Sequence, residues 1–396
     1  MRYIIISLAV VVSIGLIIFA GRAGGPAVSG ENAKQGNTHL IADTSSLPHE
    51  GKAPELVGID GWINTKPLSM RDLKGKVVLV DFWTYSCINC IRTFPYLKGW
   101  YEKYKDSGFV ILGLHAPEFE FEKNKDNVDQ AIKKYGLAYP VALDSEHATW
   151  NAYANQYWPA HYLIDAKGDI RYHHFGEGSY EETESAIQKV LLEDGLLTVD
   201  KITQASPPPE SDLSHSERSE QKGSGRRSGS YIASPEMYFG YLRINNLGNV
   251  GKEARPDQTY TFSLPEKFEE NRFYLGGMWA IRPEFAELVG DKGTVVLRYK
   301  ADKVNMVLGF GSEASNAAQA ESSDGAPVMS EVKLDGMDLA TGNGGTDVDI
   351  KANRSFFSLK EARLYNLVKG TGDGAWHTIE ITFLRKGVRA FTFTFG

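Results

Sequence analysis

Short apolar runs alternate with helix-length segments through the first half of the chain. Residues 77–80 and 109–114 are continuous runs rich in branched apolar side chains, which is typical of buried strands. The same pattern predicts further strands at residues 141–144 and 170–174, and helices at residues 118–135, 148–156 and 180–192. A short hairpin is expected over residues 53–64. Strands that alternate with helices predict an α/β domain with a central mixed sheet.

The pattern changes to short alternating strands in the second half of the chain. Tyr260, Phe262 and Leu264 alternate with polar residues. Strands are predicted in the same way at residues 294–299, 305–310, 331–334, 377–383 and 390–395, with Gly- and Asp-rich turns between them. Many short strands at fairly regular spacing predict a β-sandwich of the jelly-roll type.

Two segments outside these patterns complete the predicted organisation. Residues 3–20 are apolar or small without interruption and would form a helix of roughly 27 Å, enough to cross a membrane. They predict either an uncleaved N-terminal anchor or a cleaved export signal, and both place the remainder outside the cytoplasm. The domains expected are an anchor or signal at 1–22, a flexible tether at 23–50, the α/β domain at 51–198, a disordered linker at 199–230 and the sandwich at 231–396.

Composition narrows the possible functions. The chain has 396 residues, of which 42% are hydrophobic and 23% charged, so it can form two or three globular cores. A net charge of −7 gives no reason to expect nucleic acid as a partner. Only two cysteines occur, which excludes a scaffold of several disulfides.

Those two cysteines, Cys87 and Cys90, are separated by two residues and lie between a predicted strand and a predicted helix. At the first turn of a helix, unpaired N–H groups and the helix dipole favour a thiolate at Cys87. Cys90, one turn further, can attack a mixed disulfide formed at Cys87. A metal site would need two more ligands, and His115 is the one histidine suggested nearby, so neither a metal nor a cofactor is expected.

The residues around the pair resemble the thioredoxin family. Asp81, six residues before Cys87, matches the family's buried acid, and the resemblance implies that it relays a proton for the resolving thiol. Pro159, within the run from Tyr157 to Asp165, matches the family's cis-proline, which would shape a groove for extended substrates. The Leu-Lys-Gly-Lys entry at 73–76 and the helix at 118–135 resemble exported reductases of the TlpA class and the AhpC/TSA-type peroxiredoxins.

Residues near the cysteines are expected to flank this active site. Trp83, Ser86 and Trp158 are placed there by the resemblance. His115 and Glu118 follow the strand at 109–114 and are expected to tune the thiols.

A more specific resemblance links both halves of the chain to the DipZ family. It rests on residues 83–92 (Trp-Thr-Tyr-Ser-Cys-Ile-Asn-Cys-Ile-Arg), 234–241 and 391–396, and covers residues 51–396. DipZ proteins often carry a multi-helix membrane domain, related to CcdA, that passes electrons across the membrane. This chain has a single apolar segment, so the resemblance implies a separate CcdA-like membrane electron donor.

The resemblance implies an extracytoplasmic thiol:disulfide oxidoreductase without a cofactor, acting as a reductase on the thiols of exported proteins, as in cytochrome c maturation. One alternative is a thiol peroxidase, because Thr84 precedes Cys87 by three residues as in peroxiredoxins. Another is a redox-inert module that binds carbohydrate or protein. A sugar platform would use aromatic residues of the sandwich, namely Trp279, Tyr365 and Trp376, although aromatic residues in sandwiches usually lie in the core.

Overall fold

The computed structural model describes residues 46–202, 234–249, 256–311, 328–371 and 373–396. All of these residues belong to one compact unit, Ser45–Gly396. The predicted membrane helix, and most of the predicted tether and linker, lie outside the described residues. Within the described part of the chain, no helix combines the length and the apolar character needed to cross a membrane.

The first domain is a mixed sheet with helices on both faces. Its strands are β1 Gly51–Lys52, β2 Gly61–Ile63, β3 Val77–Trp83, β4 Phe109–His115, β5 Val141–Leu143, β6 Ala160–Ile164 and β7 Asp169–Phe175, and its helices are α1 Ile88–Tyr104, α2 Lys125–Tyr135, α3 Ala148–Ala152 and α4 Tyr180–Glu193. The strand order is β1-β7-β6-β3-β4-β5-β2. Strand β3 pairs in parallel with β4 and antiparallel with β6. The predicted α/β architecture is therefore confirmed.

Strand β3 lies at the centre of this domain, and every one of its residues is buried. Val77 and Leu79 face one apolar core together with Leu97 of α1, whereas Val80 and Phe82 face a second core on the other side of the sheet. A strand buried on both faces has a continuous apolar sequence. This burial explains why the run at 77–80 was recognisable.

Two local predictions in this domain are wrong. No hairpin forms over residues 53–64, because β1 pairs with β7 and β2 pairs with β5, at opposite edges of the sheet. The single helix predicted at 118–135 is divided into a 3₁₀ turn, Glu120–Lys123, and helix α2. Asn124 separates them, since its extended backbone cannot continue the turn and its side chain caps α2 by accepting the N–H of Asp126.

The second domain is entirely β. Its strands are β8 Met237–Tyr238, β9 Thr259–Phe262, β10 Arg272–Ile281, β11 Ala286–Tyr299, β12 Val304–Phe310, β13 Val328–Leu334, β14 Met337–Asp338, β15 Val348–Lys351, β16 Arg354–Leu359, β17 Arg363–Val368, β18 His377–Phe383 and β19 Val388–Phe395. These described strands form one sheet instead of the two stacked sheets of a sandwich. The reason is β11, which pairs with β19 near its start and with β18 over its second half. The sheet therefore curves around its core, close to a barrel.

The two domains share apolar packing. Phe391 of β19 lies edge-on to Phe119 and Phe121 of the first domain, with ring centroids 5.0 and 4.8 Å apart. Val307 and Leu364 of the second domain belong to the same cluster of buried residues. This contact holds the β domain against the loop that follows β4, next to the cysteines.

Candidate active site

Both cysteines lie at the N-terminus of α1. Cys87 is the N-cap residue, and the backbone N–H of Cys90 donates to its sulfur over 3.3 Å. The two side chains are free thiols, with Cys87 half-buried and Cys90 fully buried. A substrate therefore has access to Cys87, while Cys90 lies behind it in the core.

The environment of Cys90 keeps its thiol protonated. Burial is the largest cause that raises its pKa well above the ordinary value, followed by the hydrogen bond and the charge of Cys87. The carboxylate of Asp81 adds a smaller contribution in the same direction. Cys90 can thus act as a nucleophile only after a base has removed its proton.

Asp81 is fully buried in the middle of β3. Its charge acts on Cys90 and also on the hydroxyl of Tyr139, and burial is the largest cause of the strongly raised pKa of that tyrosine. Its Oδ1 lies 3.2 Å from Nε2 of His161, which is opposite Asp81 on β6 and equally buried. Sequence analysis missed His161, whose one signal was its place two residues after the predicted cis-proline.

The loop before β6 reaches the same edge of the sheet as the cysteines. The peptide bond between Trp158 and Pro159 is cis, as the resemblance implied. The indole Nε1 of Trp158 donates to the carbonyl of Ala116, just past the end of β4, over 2.9 Å. Strand β3 ends at Trp83, and β6 begins at Ala160, which is in register with Phe82, so the cysteine loop begins and the proline loop ends at this edge.

The buried carboxylate of Glu122 forms hydrogen bonds with Ser86, the residue before Cys87. Glu122 accepts hydrogen bonds from the backbone N–H and the hydroxyl of Ser86, the latter over 2.6 Å, and from the N–H groups of Glu118 and Phe119. Burial, with a smaller contribution from the charge of Glu118, raises the pKa of Glu122 to about 7. Sequence analysis missed this residue because an acid in an amphipathic segment is normally exposed.

His115 is buried beside the strand that precedes the cysteines. Its Nε2 lies 3.3 Å from the hydroxyl of Thr84, and its ring stacks on Tyr85 and meets the edge of Trp83. Burial lowers the pKa of His115 to about 3, so the ring is neutral at neutral pH. Thr84 is fully buried against this ring, an arrangement that gives no support to the peroxidase alternative.

The β domain borders the active site through polar contacts as well. Glu118 accepts hydrogen bonds from Tyr238 and Arg243, over 2.9 and 2.7 Å. Arg92, two residues after Cys90, donates to Glu177 and to Asn89 of the first domain and to the carbonyl of Phe395. Glu118, expected to flank the thiols, is thus held by the second domain.

The predicted sugar platform is wrong. Trp279 and Tyr365 are fully buried, and the indole of Trp279 donates to the carbonyl of Gly276 within the core. Trp376 is half-buried immediately before β18, so the three rings offer no common exposed surface. Flat aromatic rings bind sugars only when one face is open to solvent.

A metal-compatible group of side chains lies elsewhere in the described structure. His49, Asp165 and Asp169 have ligand atoms within 4.8 Å of one another. Both acids already pair with cations, Asp165 with Arg171 and Asp169 with Lys52. The group includes neither cysteine, so it adds nothing to the chemistry of the thiols.

Each of the two domains matches a known protein family. Residues 50–191 match the family model described as Redoxin, and residues 234–396 match the one described as Thioredoxin like C-terminal domain. The chain is 40% identical to Protein DipZ of Mycobacterium tuberculosis over 288 residues, which are 72% of this chain but 39% of that protein. It therefore spans well under half the length of its DipZ relatives.

Shorter relatives match the first domain over most of their length. Thiol-disulfide oxidoreductase ResA of Bacillus cereus is 32% identical over 151 residues, 38% of this chain and 83% of the relative. Thiol-disulfide oxidoreductase YkuV of Bacillus subtilis is 28% identical over 35% of this chain and 94% of the relative. The cysteine pair and the cis-proline lie within the matched domain, on a thioredoxin fold. The chain belongs to the thioredoxin-like thiol-disulfide oxidoreductases.

Proposed function

We propose that this protein reduces disulfides in exported proteins, working outside the cytoplasm and tethered by the apolar segment at residues 3–20. The observation that carries the proposal is the unequal exposure of the two thiols. Cys87 is half-buried at a helix N-cap, whereas Cys90 is fully buried with a strongly raised pKa. This asymmetry suits an attacking thiol and a resolving thiol with separate roles.

The reaction runs in two thiol exchanges. The Cys87 thiolate attacks one sulfur of a substrate disulfide, so a mixed disulfide forms and the other substrate sulfur leaves as a thiolate. Cys90, once deprotonated, attacks the sulfur of Cys87, and the second substrate sulfur leaves. The enzyme dithiol has then been oxidised to a disulfide by two electrons, and the substrate has been reduced to two thiols.

Asp81 is the residue that we assign to take the proton from Cys90. It is buried, and its charge acts directly on that thiol. We assign Pro159 to shape the groove, because its loop ends at the edge of the sheet where the loop with the cysteines begins. An extended substrate can pair with the backbone there.

The cycle requires a donor that returns electrons to the disulfide of Cys87 and Cys90. We assign this role to a separate membrane protein of the CcdA-like kind, facing the same compartment.

The reduction potential of the pair tests this proposal. Equilibration of the protein with glutathione or dithiothreitol should give a value near that of thioredoxin, roughly −270 mV. A value near roughly −120 mV would instead indicate an oxidant that forms disulfides. In a second experiment, Cys90→Ser should accumulate a mixed disulfide with a protein substrate, and the matched control Cys87→Ser should not. Failure of a disulfide to form between Cys87 and Cys90 would reject the redox function.

A further inference from the structure

A row of three ionisable side chains crosses the sheet beneath the resolving cysteine. Asp81 on β3 is in register with His161 on β6, and His161 is in register with His174 on β7. Residues directly opposite one another on neighbouring strands project from the same face. The face is the one covered by α1, since Trp100 of that helix meets the ring of His161 at 6.5 Å.

The inner part of the row is unusually poor in hydrogen bonds. Among the described residues, neither oxygen of Asp81 and neither ring nitrogen of His161 has a well-aligned hydrogen-bond partner, although Oδ1 and Nε2 are 3.2 Å apart. Buried polar groups in a purely structural role are normally satisfied. At 3.2 Å, Oδ1 of Asp81 and Nε2 of His161 are close enough for a proton to pass between them.

The outer part of the row leads towards solvent. The rings of His161 and His174 are stacked, with centroids 6.3 Å apart, so a proton that passes between their nitrogen atoms would travel through a water at the ring edges. His174 is half-buried, and β1 pairs with β7 only at Asp169 and Ile170, far from this end of the strand. Burial lowers the pKa of His174, so at neutral pH its ring is a neutral proton acceptor.

We propose that His161 and His174 carry the proton that Asp81 takes from Cys90 out to solvent. The proposal rests on the proposed function, in which Asp81 is the base for the resolving step. The proton moves from the Cys90 sulfur to the Asp81 carboxylate, then to the His161 ring, then through water to His174. No electrons move along this route, and the disulfide forms between the two cysteines as already described.

Other ionisable groups around the row do not offer the same route. Tyr139 faces Asp81 and Cys90, but its strongly raised pKa keeps the hydroxyl protonated. His173, next to His174, is exposed and on the opposite side of the strand, where it bonds to Glu50 over 2.7 Å. Glu182 acts on His174 by its charge from α4, and favours the protonated ring.

The two exchange steps can be timed separately with an aromatic disulfide such as dithiobis(nitrobenzoate). Attack by Cys87 releases the first coloured thiolate, and attack by Cys90 releases the second. We expect His161→Gln to slow the second release about tenfold or more and to leave the first unchanged, because the relay serves only Cys90. His174→Gln should slow the second release in the same direction, and imidazole in the buffer should rescue His174→Ala.

A double variant distinguishes a relay from a structural effect. If His161 acts through Asp81, then Asp81→Asn combined with His161→Gln should be no slower than Asp81→Asn alone. The exposed neighbour supplies the matched control, since His173→Gln should leave both releases unchanged. The relay would be overturned if the double variant released the second thiolate more slowly than Asp81→Asn, by the product of the two single effects. It would also be overturned if neither His161→Gln nor His174→Gln slowed the second release. Absence of a second release from the unaltered protein would reject the proposed function instead.

Discussion

Replacement of Glu122 by glutamine should change how the stability of the protein depends on pH. The carboxylate is fully buried, and its pKa is raised from 4.5 to about 7, chiefly by burial. Between these two values the unfolded chain has lost the proton while the folded protein still holds it. The contribution of this group to stability is therefore full below pH 4.5 and is lost as the pH rises to about 7.

The size of the effect follows from the shift. A rise of ~2.5 units at about 1.36 kcal/mol per unit is worth about 3 kcal/mol of unfolding free energy. Glutamine keeps the shape of the protonated acid and has no charge to lose. The stability of the wild type relative to Glu122→Gln should therefore fall by about 3 kcal/mol between the two pKa values and stay constant at higher pH.

Denaturant unfolding of both proteins over a series of pH values would measure this difference. Infrared spectroscopy gives a direct check, because the band of a buried protonated carboxyl should be present in the wild type near pH 6 and absent from the variant. Glu120→Gln is the matched control, since Glu120 lies in the same 3₁₀ turn with its side chain 73% exposed, and it should show no such dependence. A stability difference that is flat over this range would mean that the four hydrogen bonds to Glu122 keep it ionised, and would refute the argument from burial.

Three further predictions follow from the same structure. His115→Gln should change the pH dependence of stability in the opposite direction, because burial lowers the pKa of His115 to about 3. The contribution of the neutral ring to stability is present above pH 6.5 and is lost on acidification. Denaturant unfolding below pH 6.5 should therefore depend less on pH in the variant than in the wild type. Phe391→Ala should cost about 3–5 kcal/mol, and thermal unfolding should show destabilisation of the first domain as well as the second; an effect confined to the second domain would contradict the shared core. Tyr238→Phe removes the hydroxyl that donates to Glu118, and denaturant unfolding should show a decrease of about 1 kcal/mol in the free energy of unfolding. An unchanged free energy of unfolding would mean that the hydrogen bond from Arg243 alone satisfies Glu118.

The sequence was most informative where the structure is local. The cysteine pair, the strand before it and the helix after it are neighbours in the chain, and the apolar run at 77–80 directly reflects burial on both faces. His161 was not recognisable, because its role depends on the register between β3 and β6, which no local pattern encodes. The hairpin at 53–64 failed for the same reason, since each short strand pairs with a distant partner.

Aromatic residues of the second domain were misjudged for a different physical reason. Trp279 and Tyr365 are fully buried in the curved sheet, where large rings fill the core. Their sequence context is the same alternation of apolar and polar positions that an exposed platform would show. The side of each strand that faces the core is set by the curvature of the sheet, which arises because β11 pairs with both β18 and β19.

The packing of Phe391 against Phe119 and Phe121 also constrains how the protein is made. Arg92 and Phe395, joined by a hydrogen bond across the same contact, are 303 positions apart in the sequence. During synthesis, the thiol-bearing domain emerges long before strand β19, and its phenylalanine pair is left open to water until that strand arrives. A newly made molecule therefore has reactive cysteines next to an unfinished apolar surface, which is the period in which it is most exposed to aggregation and to wrong disulfides.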